Sequence, residues 1–161
     1  VTEAALRPVY EVVTGRDAPF DNLHVESVMG LERLKDGSLT FTDVLPEYAG
    51  LEGKEVKVAV ASGLSNARIL MEQIDKGESP YLFIEIMACP GGCISGGGQP
   101  RMTTEEVRIK RMNAIYREDE NKTLRKSHKN EAITAIYEKF LEEPNSHISH
   151  ELLHTHYVKR K

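Results

Sequence analysis

The clearest pattern of apolar and polar residues along the chain spans residues 56–88. Residues 56–61 (VKVAVA) and 81–88 (YLFIEIMA) are short apolar runs typical of buried strands. Residues 66–76 between them place Ile69, Leu70 and Ile74 on one helical face, with Ser65 suited to cap the helix and Gly77 to end it. We therefore predict a strand–helix–strand unit with two parallel strands and a right-handed crossover.

The pattern before this unit predicts one helix and one β hairpin. Residues 2–13 (TEAALRPVYEVV) have helical spacing, with Pro8 expected to kink or delay the helix and Gly15 to end it. The apolar face expected for this helix consists of Ala5, Leu6, Val9, Val12 and Val13. Residues 23–42 have strand character, and Asp36-Gly37 is a hairpin-turn signal.

After Pro100 the pattern becomes wholly helical. Thr103 and Glu106 form a capping box before a helix predicted at 104–116. An amphipathic helix is expected at 130–142 and a short one at 149–157. The predicted fold class is α/β, with a parallel strand–helix–strand unit and a hairpin, followed by an all-helical C-terminal tail. We expect two domains, 1–100 and 101–161.

Composition and charge narrow the class of protein. The 161 residues carry a net charge of −4, which argues against a nucleic-acid partner. No apolar run approaches the roughly 20 residues that span a membrane, and no signal peptide is visible. Two cysteines do not make a disulfide framework and suggest a reducing compartment. The chain begins at Val1 without an initiator Met, so we expect a piece of a longer or processed protein.

The residues with distinctive chemistry lie in the stretch EIMACPGGCISGGGQP, residues 85–100. Cys89 and Cys93 are the only thiols, and zinc or iron–sulfur sites usually take four ligands, so this chain supplies half of a set. The run Gly96-Gly97-Gly98 allows positive φ and close backbone approach to a bulky ligand. From spacing alone, two buried thiols beside a flexible turn remain an alternative.

The same stretch resembles the third signature of the [FeFe]-hydrogenases, ExMxCxxGCxxGGGQP, at every fixed position. Residues 2–7 (TEAALR) resemble a helix that precedes this region in the family, and residues 150–157 (HELLHTHY) resemble the family's small-subunit region. The resemblance therefore covers nearly the whole chain, as the C-terminal part of the family's catalytic unit.

The resemblance implies an H-cluster, a four-iron cubane bridged by one cysteine sulfur to a di-iron subsite that carries CO, cyanide and a dithiolate. By position, Cys89 would bind the cubane only, Cys93 would be the bridging thiolate, and Met87 would lie against the di-iron subsite. The other two cubane cysteines belong to family signatures, TSCCPxW and MPCxxKxxE, that this chain lacks. The expected enzyme is thus a hydrogenase, 2H⁺ + 2e⁻ ⇌ H₂, only together with a partner segment that supplies two cysteines.

The resemblance also implies partners. We expect a cytoplasmic, multi-subunit hydrogenase that exchanges electrons with ferredoxin, or with NAD(P) through subunits carrying FMN and further iron–sulfur clusters. One alternative is a hydrogenase-like protein of cluster assembly or sensing that binds only ordinary iron–sulfur clusters. Another is a non-catalytic scaffold whose cysteines stay empty without the rest of the protein.

A competing motif lies near the C-terminus. HELLH, from His150 to His154, matches the HExxH pattern in which two histidines hold zinc and Glu151 acts as base. Only seven residues follow His154, which leaves little room for a third ligand. We therefore expect these histidines to pack or form hydrogen bonds in the terminal helix.

Overall fold

A computed structural model of the chain describes residues 2–19 and 30–159, and the elements below are those of the described residues. They comprise five α-helices, three strands, short 3-10 turns and one π-helical turn. The α-helices are α1 (Thr2–Thr14), α2 (Leu64–Asp75), α3 (Glu105–Glu120), α4 (Glu131–Ile136) and α5 (His147–Leu153). The strands are β1 (Leu34–Thr40), β2 (Glu55–Ser62) and β3 (Tyr81–Met87).

The three strands form one mixed sheet in the order β1-β2-β3. β1 pairs antiparallel with β2, from Leu34 opposite Ala61 to Thr40 opposite Glu55. β2 pairs parallel with β3, with Ser62 opposite Met87. The predicted α/β class, the parallel strand–helix–strand unit and the helical C-terminal part are therefore confirmed.

The hairpin turn is not at Asp36-Gly37. Both residues lie inside β1, where Asp36 pairs with Ala59 and Gly37 with Val58. The turn signal is overridden because the long apolar strand β2 offers a partner along the whole of β1. The two strands are connected instead by residues 41–54, which include a 3-10 turn at Pro46–Leu51.

β2 is buried on both faces, and its alternating side chains serve two apolar clusters. Val58 and Val60 pack in one cluster with residues of α1 and β1. Ala59 and Ala61 pack with Leu70 of α2 in the other. The cluster with α1 contains Leu6, Tyr10, Val13, Ala18, Leu39 and Phe41, and the rings of Tyr10 and Phe41 stack with centroids 6.1 Å apart.

β3 does not have the burial predicted for it. In the described part of the chain it is an edge strand, and Leu82 is 77% exposed and Phe83 43% exposed. The composition of β3 matches that of a buried strand, but none of the described elements covers its outer side chains.

Two helix caps and the course of α1 differ from expectation. Ser65 lies within α2, whose N-cap is Gly63 with φ 83°. Thr104 rather than Thr103 caps α3, because its side-chain oxygen accepts from the Val107 amide. Helix α1 continues through Pro8, and its buried face includes Thr2 and Tyr10 in place of the half-exposed Val9 and Val12.

Contacts divide the chain into two compact units, residues 1–125 and 126–161. In the second unit, Asn130 caps α4 through the Ala132 amide, and α4 continues into a π-helical turn at Tyr137–Leu141. The apolar face predicted for this helix is largely exposed, with Phe140 61% exposed and Ile136 48% exposed. Among the described residues, no helix is long and apolar enough to cross a membrane.

Candidate functional site

The two cysteines lie in a loop that leaves the carboxyl end of β3, and we call residues 88–100 the cysteine loop. The Gly63 amide, at the start of α2, donates to the carbonyl of Met87, the last residue of β3, at 2.8 Å. The loop therefore begins from a fixed point at the edge of the parallel pair, where α/β sheets commonly place ligands.

The loop turns at Gly91 and Gly92, which have φ of 78° and 74°. A Cβ at Gly92 would lie 2.7 Å from the sulfur of Met87, so only glycine lets the loop pass this close to that side chain. In the triple glycine, where the sequence suggested positive φ, only Gly98 adopts it. The Pro90-Gly91-Gly92 run is a turn signal that could have located the turn.

The structure brings both thiols onto one short turn. Cys89 is half-buried, Cys93 is exposed, and both are free. The Gly92 amide donates to the Cys89 carbonyl at 2.9 Å, and a 3-10 turn at Gly92–Ser95 follows. A Cβ at Gly96 would lie 3.4 Å from the Cys89 sulfur, so the backbone of the glycine run lies close against that thiol.

A cavity of about 330 Å³ lies between the cysteine loop, α1 and α3. Met87, Cys93 and Ile94 line its loop side. Of the two cysteines, only Cys93 borders this cavity. The loop therefore places its two thiols in different surroundings, with Cys93 and Met87 sharing one space.

The lining of the cavity also contains a fixed carboxylate, that of Glu85. The amide and hydroxyl of Thr2 both donate to the same Glu85 oxygen, at 2.8 and 2.6 Å. Burial raises the pKa of Glu85, but the hydrogen bonds from Thr2 outweigh it and hold that pKa below its ordinary value. Thr2 was missed as a site residue, because nothing local in the sequence signals a contact 83 residues away.

Lys35 of β1 also lines the cavity and is only 8% exposed. Its ammonium group donates to the Gly30 carbonyl at 3.1 Å. Burial lowers the pKa of Lys35, and the nearby carboxylates of Glu85, Glu32 and Glu3 oppose this shift. The cavity lining therefore combines the soft apolar side chain of Met87 with the charged groups of Glu85 and Lys35.

A second charged group lines the cavity where α1 contacts α3. The Arg7 guanidinium, 3% exposed, donates to both oxygens of Asp119 at 3.1 and 3.0 Å and also pairs with Glu3. Arg125 donates to Asp119 at 2.6 Å. Burial raises the pKa of Asp119, but its bonds with Arg7 and Arg125 outweigh this and hold the pKa low.

The donor set fits part of a metal cluster. Two thiols on one turn are soft ligands, and the adjacent glycine backbone leaves room for a bulky group. No group of three or more His, Cys, Asp or Glu side chains that could hold a metal occurs within residues 2–19 and 30–159. The two cysteines therefore fit half of a four-thiolate set, and because the chain has no other cysteine, two further thiolates would come from another segment.

The HELLH segment lies in the second unit, at the end of α5 and just beyond it. The rings of His150 and His154 meet edge to face, with centroids 4.4 Å apart. The Glu151 carboxylate lies 4.0 Å from the ring nitrogen of His147. The rings of His150 and His154 therefore contact each other at an exposed position, and the terminal helix ends at Leu153 rather than at the predicted residue 157.

Comparison with family models identifies the chain. Residues 1–97 match the C-terminal domain of the iron-only hydrogenase large subunit, and residues 105–160 match the iron hydrogenase small subunit. The chain belongs to the iron-only hydrogenase family. Its cysteine loop lies at the end of the large-subunit match, and α3 lies at the start of the small-subunit match.

The individual relatives include a hydrogenase subunit and an iron–sulfur cluster assembly factor. The chain is 44% identical over 162 residues to the NADP-reducing hydrogenase subunit HndD of Solidesulfovibrio fructosivorans, covering 100% of the chain and 26% of that protein. It is 41% identical over 112 residues to a probable cytosolic Fe-S cluster assembly factor of Drosophila mojavensis, covering 66% of the chain and 22% of that protein. The hydrogenase chain thus spans about a quarter of the length of these curated relatives.

The fold is also similar to a solved hydrogenase structure. The [FeFe]-hydrogenase HydA1 from Chlamydomonas reinhardtii aligns with a TM-score of 0.78 and 40% identity, over 98% of this chain and 44% of that one. The likeness supports the sheet and helix arrangement described above. The ligand roles of Cys89 and Cys93 and the contact role of Met87 stay predictions.

Proposed function

We propose that this chain supplies two of the four cysteine ligands of an H-cluster, in an iron-only hydrogenase that catalyses 2H⁺ + 2e⁻ ⇌ H₂. The observation that carries the proposal is the placement of Cys93 and Met87 on one cavity at the carboxyl end of β3, with Cys89 beside Gly96. The full match to the hydrogenase signature at residues 85–100 supports it.

The different surroundings of the two thiols support different roles. Cys93 borders the cavity and would be the bridging ligand, whereas Cys89, half-buried against the glycine run, would bind the cubane only. Met87 would present a soft apolar surface beside the di-iron subsite. When bound, the cluster would transfer electrons from or to the redox partner and supply the hydrogen-binding iron, while these side chains would hold and orient it.

A partner segment would complete the site. The described residues provide two thiols, and apolar surface is exposed along β3 and α2. The large exposed apolar side chains there are Leu82, Phe83, Ile86, Leu64, Ile69, Met71 and Ile74. A segment carrying the other two cysteines would bury this surface as it completes the metal site.

The electron partner is proposed from the relative that covers the whole chain. HndD is named as a subunit of an NADP-reducing hydrogenase. We infer by similarity a cytoplasmic multi-subunit complex in which FMN, NAD(P) or ferredoxin, and further iron–sulfur clusters in other subunits, exchange electrons with the H-cluster. The alternative function, binding of ordinary iron–sulfur clusters only, is favoured by the likeness to the assembly factor, but that likeness covers 66% of the chain, whereas the likeness to HndD covers all of it.

The test is the iron content and the infrared CO and cyanide bands of the chain assembled with a segment bearing the other two cysteines, after maturation. The proposal expects about six iron atoms per assembly, CO and cyanide bands, and hydrogen evolution with a chemical reductant. Cys93→Ala should abolish the bands. Iron without the bands would favour the alternative, and bands that survive Cys93→Ala would overturn the bridging role. The chain without the partner segment is the control and should show no bands.

A further inference from the structure

Two arginines of α3 hold the cysteine loop. The Arg111 guanidinium donates to the Ile94 carbonyl at 2.8 Å through one terminal nitrogen and to the Pro100 carbonyl at 3.1 Å through the other. Arg108 donates to the Ser95 hydroxyl at 3.2 Å. Arg111 therefore bridges the two ends of the segment that contains the glycine run.

The glycine run needs such a bridge. Glycine loses more conformational freedom on ordering than any other residue, and Gly96–Gly98 offer no side chains to fix the loop. The backbone hydrogen bonds made by Gly96 are long, at 3.2 Å from its amide to the Cys93 carbonyl and 3.3 Å from the Gln99 amide to its carbonyl. The charged bonds from Arg111 are shorter and are made at the ends of the run.

Arginine suits this geometry better than lysine. The guanidinium is planar and always charged, so its two terminal nitrogens can hold two carbonyls at once. Arg111 also donates to the Thr103 hydroxyl at 3.3 Å, which adds the segment just before α3 to the same contact. A lysine ammonium has one nitrogen and cannot reproduce the fork.

We propose that Arg111, assisted by Arg108, is a positioning residue that fixes the shape of the cysteine loop and so the direction in which Cys93 faces the cluster. The two arginines belong to the small-subunit match, and the loop they hold belongs to the large-subunit match. The small-subunit segment thereby acts on the metal site through the loop. The effect on the cluster rests on the proposed function, whereas the effect on the loop does not.

The first test uses the chain without metal. Hydrogen exchange of the backbone amides of residues 95–99 should be about tenfold faster in Arg111→Gln, the loss expected for one charged hydrogen bond. The exchange rates of the same amides in Arg111→Lys should lie between those of Arg111→Gln and wild type. Lys110→Gln is the control, since the neighbouring Lys110 side chain is 72% exposed and pairs with Glu106. Unchanged exchange in a folded Arg111→Gln chain would overturn the proposal, and if that variant does not fold, Arg111→Lys and Arg108→Gln decide the question in the same way.

The second test uses the assembled, iron-loaded protein. Arg111→Lys should keep iron but shift or split the CO and cyanide bands, because the bridging thiolate is held less uniformly. A purely structural role would lower the yield of protein and leave the band positions of the surviving molecules unchanged, which would overturn the effect on the cluster. If wild type itself shows no bands, the proposed function fails, and the exchange experiment alone decides the role of Arg111 in the loop.

Discussion

Thr2 and Glu85 are joined by two hydrogen bonds to a single carboxylate oxygen, one from the Thr2 amide at 2.8 Å and one from its hydroxyl at 2.6 Å. Thr2 is 1% exposed. The contact connects the first turn of α1 to β3 at Glu85, which lies two residues before Met87. The start of one helix therefore helps to fix the strand end from which the cysteine loop departs.

The hydroxyl of Thr2 should contribute measurably to stability. Thr2→Val keeps the β-branched shape and the backbone amide bond but removes the hydroxyl donor to a charged acceptor. We expect the free energy of unfolding, measured with urea, to fall by about 1.5–3 kcal/mol. Thr40→Val, at an exposed position of β1, is the matched control and should change stability by less than about 0.5 kcal/mol. Equal effects of the two substitutions would show that the bond contributes nothing.

The ionisation of Glu85 should make stability depend on pH in the acid range. Its pKa is held below the ordinary value, since the Thr2 hydrogen bonds outweigh burial, so the folded chain binds the proton less readily than the unfolded chain. The stabilisation is therefore present above the unfolded pKa of about 4.3 and is lost as the pH falls through the lower folded value.

The variant Glu85→Gln isolates this effect. The difference in unfolding free energy between wild type and Glu85→Gln should be constant near neutral pH and should shrink as the pH falls below about 4.3. Urea titrations between pH 6 and pH 3 measure it. A difference that grows on acidification would mean that the pKa is raised in the folded chain.

The Arg7 side chain should contribute more to the free energy of unfolding than the Thr2 hydroxyl does. It is 3% exposed and bridges Glu3 and both oxygens of Asp119. Arg7→Leu removes the cation from a mostly buried cluster and should cost about 3 kcal/mol. Arg7→Lys keeps the charge but not the two parallel hydrogen bonds, so its unfolding free energy should lie between those of wild type and Arg7→Leu. The control Lys110→Gln, at an exposed ion pair of α3, should leave thermal unfolding unchanged.

The strand–helix–strand unit could be predicted because its signal is local. In β2, Val58 and Val60 serve one apolar cluster and Ala59 and Ala61 the other, so burial on both faces produces a continuous apolar run. The cysteine pair and its glycines could likewise be read from one stretch of sequence. Their turn was expected at the triple glycine, whereas the structure puts positive φ at Gly91 and Gly92, where the Pro90-Gly91-Gly92 signal could have located it.

The contacts that frame the site could not be predicted, because each depends on residues far apart in the chain. The buried face of α1 includes Thr2 and Arg7, which are polar and meet partners 83 and 112 residues away. A helical pattern of apolar residues pointed instead to Val9 and Val12, which are 45% and 44% exposed. The apolar composition of β3 likewise could not show that its outer face lacks a partner among the described elements.

Leu82 should behave as a surface residue in the isolated chain. It is 77% exposed on the edge strand β3, so Leu82→Lys should change the unfolding free energy by less than about 0.5 kcal/mol. The same change should reduce self-association, because a charge on an apolar edge strand opposes edge-to-edge pairing. Sedimentation velocity measures the association, and Leu39→Lys, at a position 6% exposed, is the contrasting variant that should unfold the chain. A strongly destabilised Leu82→Lys chain would mean that the β3 edge is covered.

Alanine substitutions at Gly92 and Gly97 should distinguish a glycine that the metal-free fold requires from a glycine that only a bound cluster requires. Gly92 has φ 74° and faces the Met87 sulfur, so Gly92→Ala should destabilise the metal-free chain by about 1–3 kcal/mol. Gly97 has no positive φ, and a Cβ there would meet nothing within 4 Å, so Gly97→Ala should leave the metal-free chain unchanged. If the glycine run lies against a cluster in the assembled protein, Gly97→Ala should still lower iron content there. Because the metal-free fold does not need glycine at position 97, a loss of iron at full stability would place the run against the bound group or the segment that completes its site, and full iron content would place both away from the run.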